Sequence, residues 1–542
     1  MAKDLENLHR AALKRFERLE NNEKDQRELA VEDIRFAQVE DGQWDEEARA
    51  NRKGRPLFTI NRVAGAIDQL IGDQRQSRTA IKLRPSGGDA SEDTARTMEG
   101  LIRNIESVSK AQNSYDNAFD EMVNGGYGGW RVTTEYNDDD AFTQDIRIQS
   151  IMGATTSLWF DDAATEYDKR DANFAFLATD MPMEERESRW PDRPIVDFER
   201  PEYKGSSCAS WRNNDTARVA EYWVKEPVTK QLALLSNGQV IDQDEEASVL
   251  DELAESGVTV VKSRSVESHK VVMYLMDGAG ILEGPKEWAG KHIPLVPVFG
   301  RQSFVEGQNY VRGLVRFAKD ANRIYNYTIS ATVEAAALTP KDPYFATPKQ
   351  FEGHKAQWAT FNTKNPPVML YNPDPATSGA PPQRGGAPSV QQALIQQTQQ
   401  ASMDLYHVTG MQPPSIGVNP ELKSGKAIQA QERQGDRGSY IFTDNLEKSK
   451  EYTAEILVDL IPRIYDTAKQ VRIMNQDGTT DFVEVNTTVQ DRQTGEQVLV
   501  NDLSAGKYDV VAETGPAFAT QRQEAAQQLI DLATGSDVFA QM

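Results

Sequence analysis

The residues of this chain with chemical potential are its carboxylates, five histidines, one cysteine and a few glycine-rich turns. Adjacent carboxylates can hold a hard cation such as Mg²⁺ or Ca²⁺. Asp138-Asp139-Asp140 and Asp161-Asp162 offer such groups, and a metal-dependent hydrolase would draw on Asp161, Asp162 and Glu135. No calcium-loop spacing surrounds them, and 138–140 falls where a hairpin should turn, so solvated turns are the favoured reading. His9, His269, His292, His354 and His407 form no pair at metal-ligand spacing. Cys208 has no histidine or basic cluster beside it to favour a thiolate. As a single cysteine it excludes an internal disulfide and fits a reducing compartment. The run Asn124-Gly125-Gly126-Tyr127-Gly128-Gly129 leads into a strand, whereas a phosphate loop leads into a helix. Ser424-Gly425-Lys426 does open a helix, whose amides can meet a phosphate, but it lacks the upstream strand and glycine spacing of a nucleotide site. No Ser-His-Asp arrangement is discernible. The expectation is therefore no catalytic group, no metal and no cofactor.

Two other residue sets suit contact with a polymer. Gln391, Gln392, Gln396, Gln397, Gln399 and Gln400 give one helix an uncharged polar face. It is either a solvated face or a lining that neither traps nor repels phosphates, with Gln392, Gln396 and Gln399 as the lining candidates. Lys423, Lys426, Arg433 and Arg437 can contact a passing polyanion, although Glu421, Glu432 and Asp436 are interleaved and allow ordinary surface ion pairs.

Composition bounds what positions these residues. At 542 residues there is room for two to four domains. A hydrophobic fraction of 38% is low for a compact globule and too high for general disorder. Such a chain is either elongated or hides surface against copies of itself. No apolar run approaches the roughly 20 residues that span a bilayer. The net charge of −23 argues against a general nucleic-acid coat. Residues 301–450 nevertheless hold 16 Lys+Arg against 12 Asp+Glu, a net of +4, which leaves −27 for the remainder.

Periodicity places the elements in an α+β chain. Helix is expected over 3–36, with Leu5, Leu8, Ala12, Phe16 and Leu19 on one face, over 60–77 and over 90–123. Residues 37–57 read as loop. Residues 124–300 read as mainly β, beginning with a hairpin of 129–136 against 145–148 and continuing with strands at 172–178, 217–225, 230–235, 257–263 and 269–276. A long helix is expected from 310 to 338. A Pro/Gly-rich but apolar subdomain follows over 341–388, holding Phe351, Trp358 and Phe361. Ser389 is a plausible N-cap for the next helix. A loop over 410–424 then leads to a very long helix that Gly435, Gly438 and Pro462 invite to kink. Strands are expected at 480–486, 497–500 and 507–512, and a last helix at 519–533.

Several stretches, in this order, resemble the portal (head-to-tail connector) proteins of tailed double-stranded DNA phages, of the short-tailed type. They are ARANRKGRPLFTINRVAGAIDQLIGDQRQSRTAIKLRP (48–85), SLWFDDAATEYDKRDANFAF (157–176), IPLVPVFGR (293–301), NYVRGLVRFAKDANRIYNYTISA (309–331) and TGMQPPSIGVNPELKSGKAIQAQERQGDRG (409–438). No one of these is chemically diagnostic; the match lies in their number and order. The resemblance implies a wing over 1–307, a first stem helix over 308–339, a clip over 340–388 and a second stem helix over 389–408. A tunnel loop over 409–425 follows, then a long kinked wing helix over 426–474, wing strands over 475–518 and the start of a crown over 519–542. It implies a ring, usually a dodecamer, at one capsid vertex of the virion, assembled in the host cytoplasm. Double-stranded DNA is packaged and ejected through it, with the terminase large subunit, a head-to-tail adaptor, the major capsid protein and scaffold as partners, and with no enzyme activity of its own. Lys423, Lys426, Arg433 and Arg437 would then lie at or near the tunnel loop, and Phe351, Trp358 and Phe361 would pack the clip or meet partners. The alternatives are the metal-dependent hydrolase above and a virion structural protein without a channel.

Overall fold

The computed structural model describes residues 2–76, 79–87, 90–137, 140, 142–195, 210–213, 215–236, 240–242, 258–338, 344–364, 367–384, 392–410, 425–475, 478–490, 497–504 and 506–514. The chain divides into two compact units. One holds Met1–Ile34, Ile67–Arg316 and Asp436–Met542, the other Arg35–Ala66 and Phe317–Gly435. The mixture of helix and sheet agrees with the expected α+β class.

In the larger unit, the first helix (Ala2–Gln38) lays the stripe foreseen for it onto a sheet. Phe16 is fully buried, with its ring 5.5 Å from Trp159, 5.3 Å from Phe176 and 4.9 Å from Trp211. That sheet has six strands, in the order Leu158–Phe160, Phe174–Pro182, Thr216–Leu235, Val260–Met276 and Ile281–Glu287, with Val240–Asp242 also on the third. Two strands are far longer than expected: 217–225 and 230–235 fall in the single strand Thr216–Leu235, and 260–263 and 269–276 in the single strand Val260–Met276. Pro227 lies between the two expected strands. It sits where Thr216–Leu235 has only one strand neighbour, because Phe174–Pro182 pairs with 216–224 and Val240–Asp242 with 232–234. Its missing N–H therefore breaks no ladder.

A second sheet pairs Tyr127–Tyr136 with Gln144–Ser150, the foreseen hairpin, and with Leu295–Phe299 on its other side. The helical stretch 90–123 is two helices, Glu92–Val108 and Ala111–Gly125, separated by Lys110 at φ 51°. The following strand lies close to the second of them: a Cβ at Gly128 would stand 2.0 Å from the Ala118 carbonyl oxygen. The C-terminal part of the long helix (Gly425–Ile464) joins this core. Trp130 Nε1 donates to Thr453 Oγ1 at 2.9 Å, Ser449 Oγ to the Pro297 carbonyl at 2.7 Å, and Asn445 Nδ2 to the carbonyls of Phe299 and Gly300 at 3.1 Å. Trp130 is fully buried. Trp130→Ala is expected to cost about 3–5 kcal/mol and leave the Thr453 hydroxyl without this donor. The check is a lower thermal unfolding midpoint with near-native circular dichroism at low temperature.

Two boundaries differ from expectation. Residues 308–312 are not helix: Gln308–Arg312 pairs as a strand with Arg301–Val305, and the helix begins at Val315. Gly313 separates the two because a Cβ there would meet the Val123 and Asn124 carbonyl oxygens at 2.4 and 2.6 Å. Leu314 N also donates to the Val123 oxygen at 2.8 Å. The long helix stops at Ile464, two residues after Pro462 removes a bond of its last turn, and Lys469–Met474 is a strand paired with Thr480–Val485. Gly435 and Gly438 lie inside the helix without ending it. Thr487–Gln490 pairs with Gln497–Val500, and Thr79–Gly87 with Lys507–Thr514. The helix expected over 519–533, and the crown it would begin, lie outside the described residues.

In the smaller unit, 37–57 is only partly loop, since it contains the turn Glu40–Gln43 and the helix Glu46–Asn51. The extended segment after them runs along the helix Val315–Leu338. Asn322, Asn326 and Ser330, four residues apart on one face, accept from the backbone N–H of Arg62, Ile60 and Phe58 at 3.2, 2.9 and 3.0 Å. Gln43 Oε1 accepts from Asn322 and Asn326 at 2.7 Å. These amides satisfy a backbone segment that has no strand partner. Within the excursion 340–388, Tyr344–Phe345 pairs with Gln383–Arg384 and Lys355–Lys364 is helix.

Candidate assembly and contact residues

The two helices that flank this excursion, Val315–Leu338 and Gln392–Thr409, expose several large apolar side chains among the described residues of the smaller unit. On the first, Ala318, Ala321 and Tyr325 are buried together with the amide ladder. Phe317, Ile324 and Tyr327 are 45–58% exposed on a different face. With Asp320 they fall at i, i+3, i+7 and i+10, the spacing of a helix–helix seam. Trp44, Ala48, Ile324, Tyr327 and Gln397 line an open groove of about 270 Å³ beside this face. On the second helix Ala401, Leu405 and Thr409 are buried, while Ile395, Met403 and Val408 are exposed. A signal for the exposed seam exists in the sequence: apolar residues at 317, 324 and 327 are out of phase with the 314, 318, 325 stripe.

Gln396 and Gln399 are exposed, as are Gln397 and Gln400, and Gln400 donates to Asp404 at 2.8 Å. Gln392 opens the helix, and its side chain is outside the described residues, as is all of Gln391. Lys423 lies in the undescribed stretch 411–424. Lys426, Arg433 and Arg437 lie on the helix Gly425–Ile464, with side chains outside the described residues. Lys426 and Arg433, seven residues apart, occupy the same helical face.

In the small subdomain Trp358 is a packing residue. Its ring stands 4.9 Å from both Tyr344 and Phe351, and its Nε1 donates to the Leu370 carbonyl at 2.7 Å. Phe361 is on the same helix, its side chain outside the described residues. Among the described residues, the large apolar side chains this subdomain exposes are Phe345, Val368 and Leu370.

The acidic groups are engaged in structural contacts. Asp161 is buried and accepts from the N–H of Ala163 and from both nitrogens of Asn173, at 3.2–3.3 Å. Asp162 pairs with Arg18 at 2.6 Å and accepts from Asn22 at 3.2 Å. Glu135 stands opposite Asp145 in the hairpin and accepts from Gln149. Among the described residues no three carboxylate, histidine or cysteine side chains come together. Asp138, Asp139 and Cys208 lie outside those residues. Burial pushes the imidazoles of His9 and His292 down from their ordinary value; His9 Nε2 lies 2.8 Å from the Asp277 carbonyl oxygen, and the His292 ring lies 5.8 Å from Tyr452. No described helix is long and apolar enough to cross a membrane.

Relatives place these helices in context. The sequence matches the Phage P22-like portal protein family over residues 13–542. It is 31% identical to the portal protein of Acyrthosiphon pisum secondary endosymbiont phage 1, across 99% of this chain and 77% of that relative. A match of this extent, spanning both units and the helices between which the small subdomain is inserted, makes this chain a member of the phage P22-like portal protein family.

Proposed function

We propose that copies of this chain close into a ring, usually a dodecamer in the family it resembles, at one vertex of the capsid, and that double-stranded DNA is packaged and ejected through its centre. Portals are structural, non-enzymatic proteins of the virion, so the work falls to shape and surface. The observation that carries the reading is the exposed apolar seam Phe317, Ile324 and Tyr327 together with the exposed Ile395 and Met403 of the second helix. Fully burying such a side chain is worth about 1.5–3 kcal/mol, and about half of each is still exposed. Five of them together supply a gross driving force toward a second copy before the cost of association is subtracted. Two different faces meeting head to tail is what a closed ring needs.

The 308–339 and 389–408 segments, less the strand at 308–312, then act as the stem, and 340–388 as the clip. The wing comprises the larger unit. The clip offers Phe345, Val368 and Leu370, with Phe351 and Phe361 as further candidates, to the terminase large subunit and the head-to-tail adaptor. The major capsid protein and scaffold are further partners during assembly in the host cytoplasm. Gln392, Gln396 and Gln399 give a neutral polar lining, and Lys423, Lys426, Arg433 and Arg437 give brief phosphate contacts, since a moving polymer must not be held. Sedimentation velocity of the purified protein at micromolar concentration tests the assembly. One discrete species of about a dozen subunits is expected; a monomer under all ionic strengths tried would rule it out.

A further inference from the structure

The larger unit holds a cavity of about 250 Å³. The helix Ala2–Gln38, the strands Tyr127–Tyr136, Leu158–Phe160 and Leu295–Phe299, and the hairpin Arg301–Val305 / Gln308–Arg312 all contribute to its wall. That wall is largely aromatic. Phe160 and Phe299 are buried, Phe304 is 65% exposed, and the Tyr127 ring meets Phe299 edge-on at 6.0 Å. The charges around it are matched. Glu23 pairs with Arg27 at 2.6 Å and Asp162 with Arg18 at 2.6 Å. Asp161 is held by amides, and the Lys169 ammonium donates to the Ala164 carbonyl at 2.7 Å. Three carboxylates and three cations leave no net charge. Two polar groups are not matched. Tyr127 is 4% exposed, and among the described residues nothing bonds its hydroxyl. Burial pushes that phenol well above its ordinary value, so it keeps its proton and remains a donor. Asn309 Oδ1 is buried and also without a partner. Leaving such groups unpaired is costly, and the cavity that both residues line is the space in which a partner can reach them.

We infer that this cavity binds one uncharged aromatic ring carrying a hydroxyl, a phenol-class group, either free or borne on the tyrosine side chain of a protein partner. The ring packs among Phe160, Phe299 and Phe304, where aromatic pairs gain beyond their buried area. Its oxygen accepts from the Tyr127 hydroxyl, and its own O–H donates to Asn309 Oδ1. The balanced wall selects against a carboxylate, a phosphate or an ammonium, each of which would be buried without a counter-charge. A volume of about 250 Å³ lies below the roughly 300–1,000 Å³ of sites for drug-sized ligands, which selects a single ring over a nucleotide. Water also satisfies polar groups in such a space, but it gains nothing from aromatic walls. Neither a ring of subunits nor DNA is needed for this binding.

The test uses the purified full chain and p-cresol, which is the tyrosine side chain as a free molecule, with toluene as the same ring lacking the hydroxyl. Binding is read by ligand-observed NMR. p-Cresol is expected to bind with a Kd of about 1 mM, within reach of so small a ligand, and toluene about tenfold more weakly. Tyr127→Phe removes only an oxygen that nothing in the protein bonds. It should leave the thermal unfolding midpoint unchanged, weaken p-cresol about tenfold and bind toluene as the parent does. Asn309→Ala should weaken p-cresol similarly, and it decides the matter where Tyr127→Phe folds poorly. N-acetyltyrosinamide separates the two sources. A Kd as tight as that of p-cresol assigns the site to a partner's tyrosine side chain, and one at least about tenfold weaker to a free phenol-class molecule. No binding of p-cresol by the folded parent at about 10 mM, equal affinity for p-cresol and toluene, or unchanged p-cresol affinity in the folded variants overturns the inference and leaves water as the occupant. None of these results bears on the portal reading, which stands or falls on assembly.

Discussion

Ile324→Asp combined with Tyr327→Asp is expected to leave a folded subunit that no longer assembles. Both side chains are about half exposed in the single chain, so little of its own core is lost, apart from the Arg52 guanidinium that lies 5.2 Å from the Tyr327 ring. In an assembled interface the same changes remove two large apolar contacts at about 1.5–3 kcal/mol each and bury two carboxylates without partners, which costs more. A loss of about 4 kcal/mol per contact already weakens association by about three orders of magnitude. Circular dichroism should match the parent, and sedimentation should show monomer where the parent shows assembly. Assembly at parental concentration would place the subunit contact elsewhere.

Deletion of residues 412–422 is expected to have the opposite pattern. The helices Val315–Leu338 and Gln392–Thr409 keep their exposed apolar residues, so assembly should persist. Packaging or retention of the genome should fall severely, because the loop at 409–425, with Lys423 and Lys426, is the segment expected to follow the DNA. The measurement is DNA content per particle when the deletion variant is supplied in place of the parent. Particles filled and stable at the parental level would remove the loop from the mechanism.

Much of the architecture could be read from the sequence, and the exceptions have physical causes. The register-forming hairpin at 129–136 was legible because alternation over Trp130, Val132 and Thr134 leaves one consistent choice of buried face. The stripe Leu5, Leu8, Ala12, Phe16, Leu19 was legible for the same reason at helical period. The strand at 308–312 was not, because Val311, Leu314, Val315 and Ala318 keep helical spacing across the true boundary. What decides it is the approach of Gly313 to the carbonyls of Val123 and Asn124, a contact nearly two hundred residues distant in sequence. Thr216–Leu235 was read as two strands with a gap that holds Pro227, a residue the sheet tolerates where a neighbour is missing. Trp358 illustrates the limit for site residues: its type suited a partner contact, and its aromatic neighbours and bond to Leu370 use it within the subdomain.

The central claim is that this chain, a phage P22-like portal protein, works as a ring-shaped conduit. A negative-stain image of the purified, assembled protein tests it most directly. The account predicts particles of uniform diameter, seen end-on as closed rings of about a dozen subunits with a central hole wide enough for duplex DNA. Monodisperse particles without a hole, or open filaments, would contradict it.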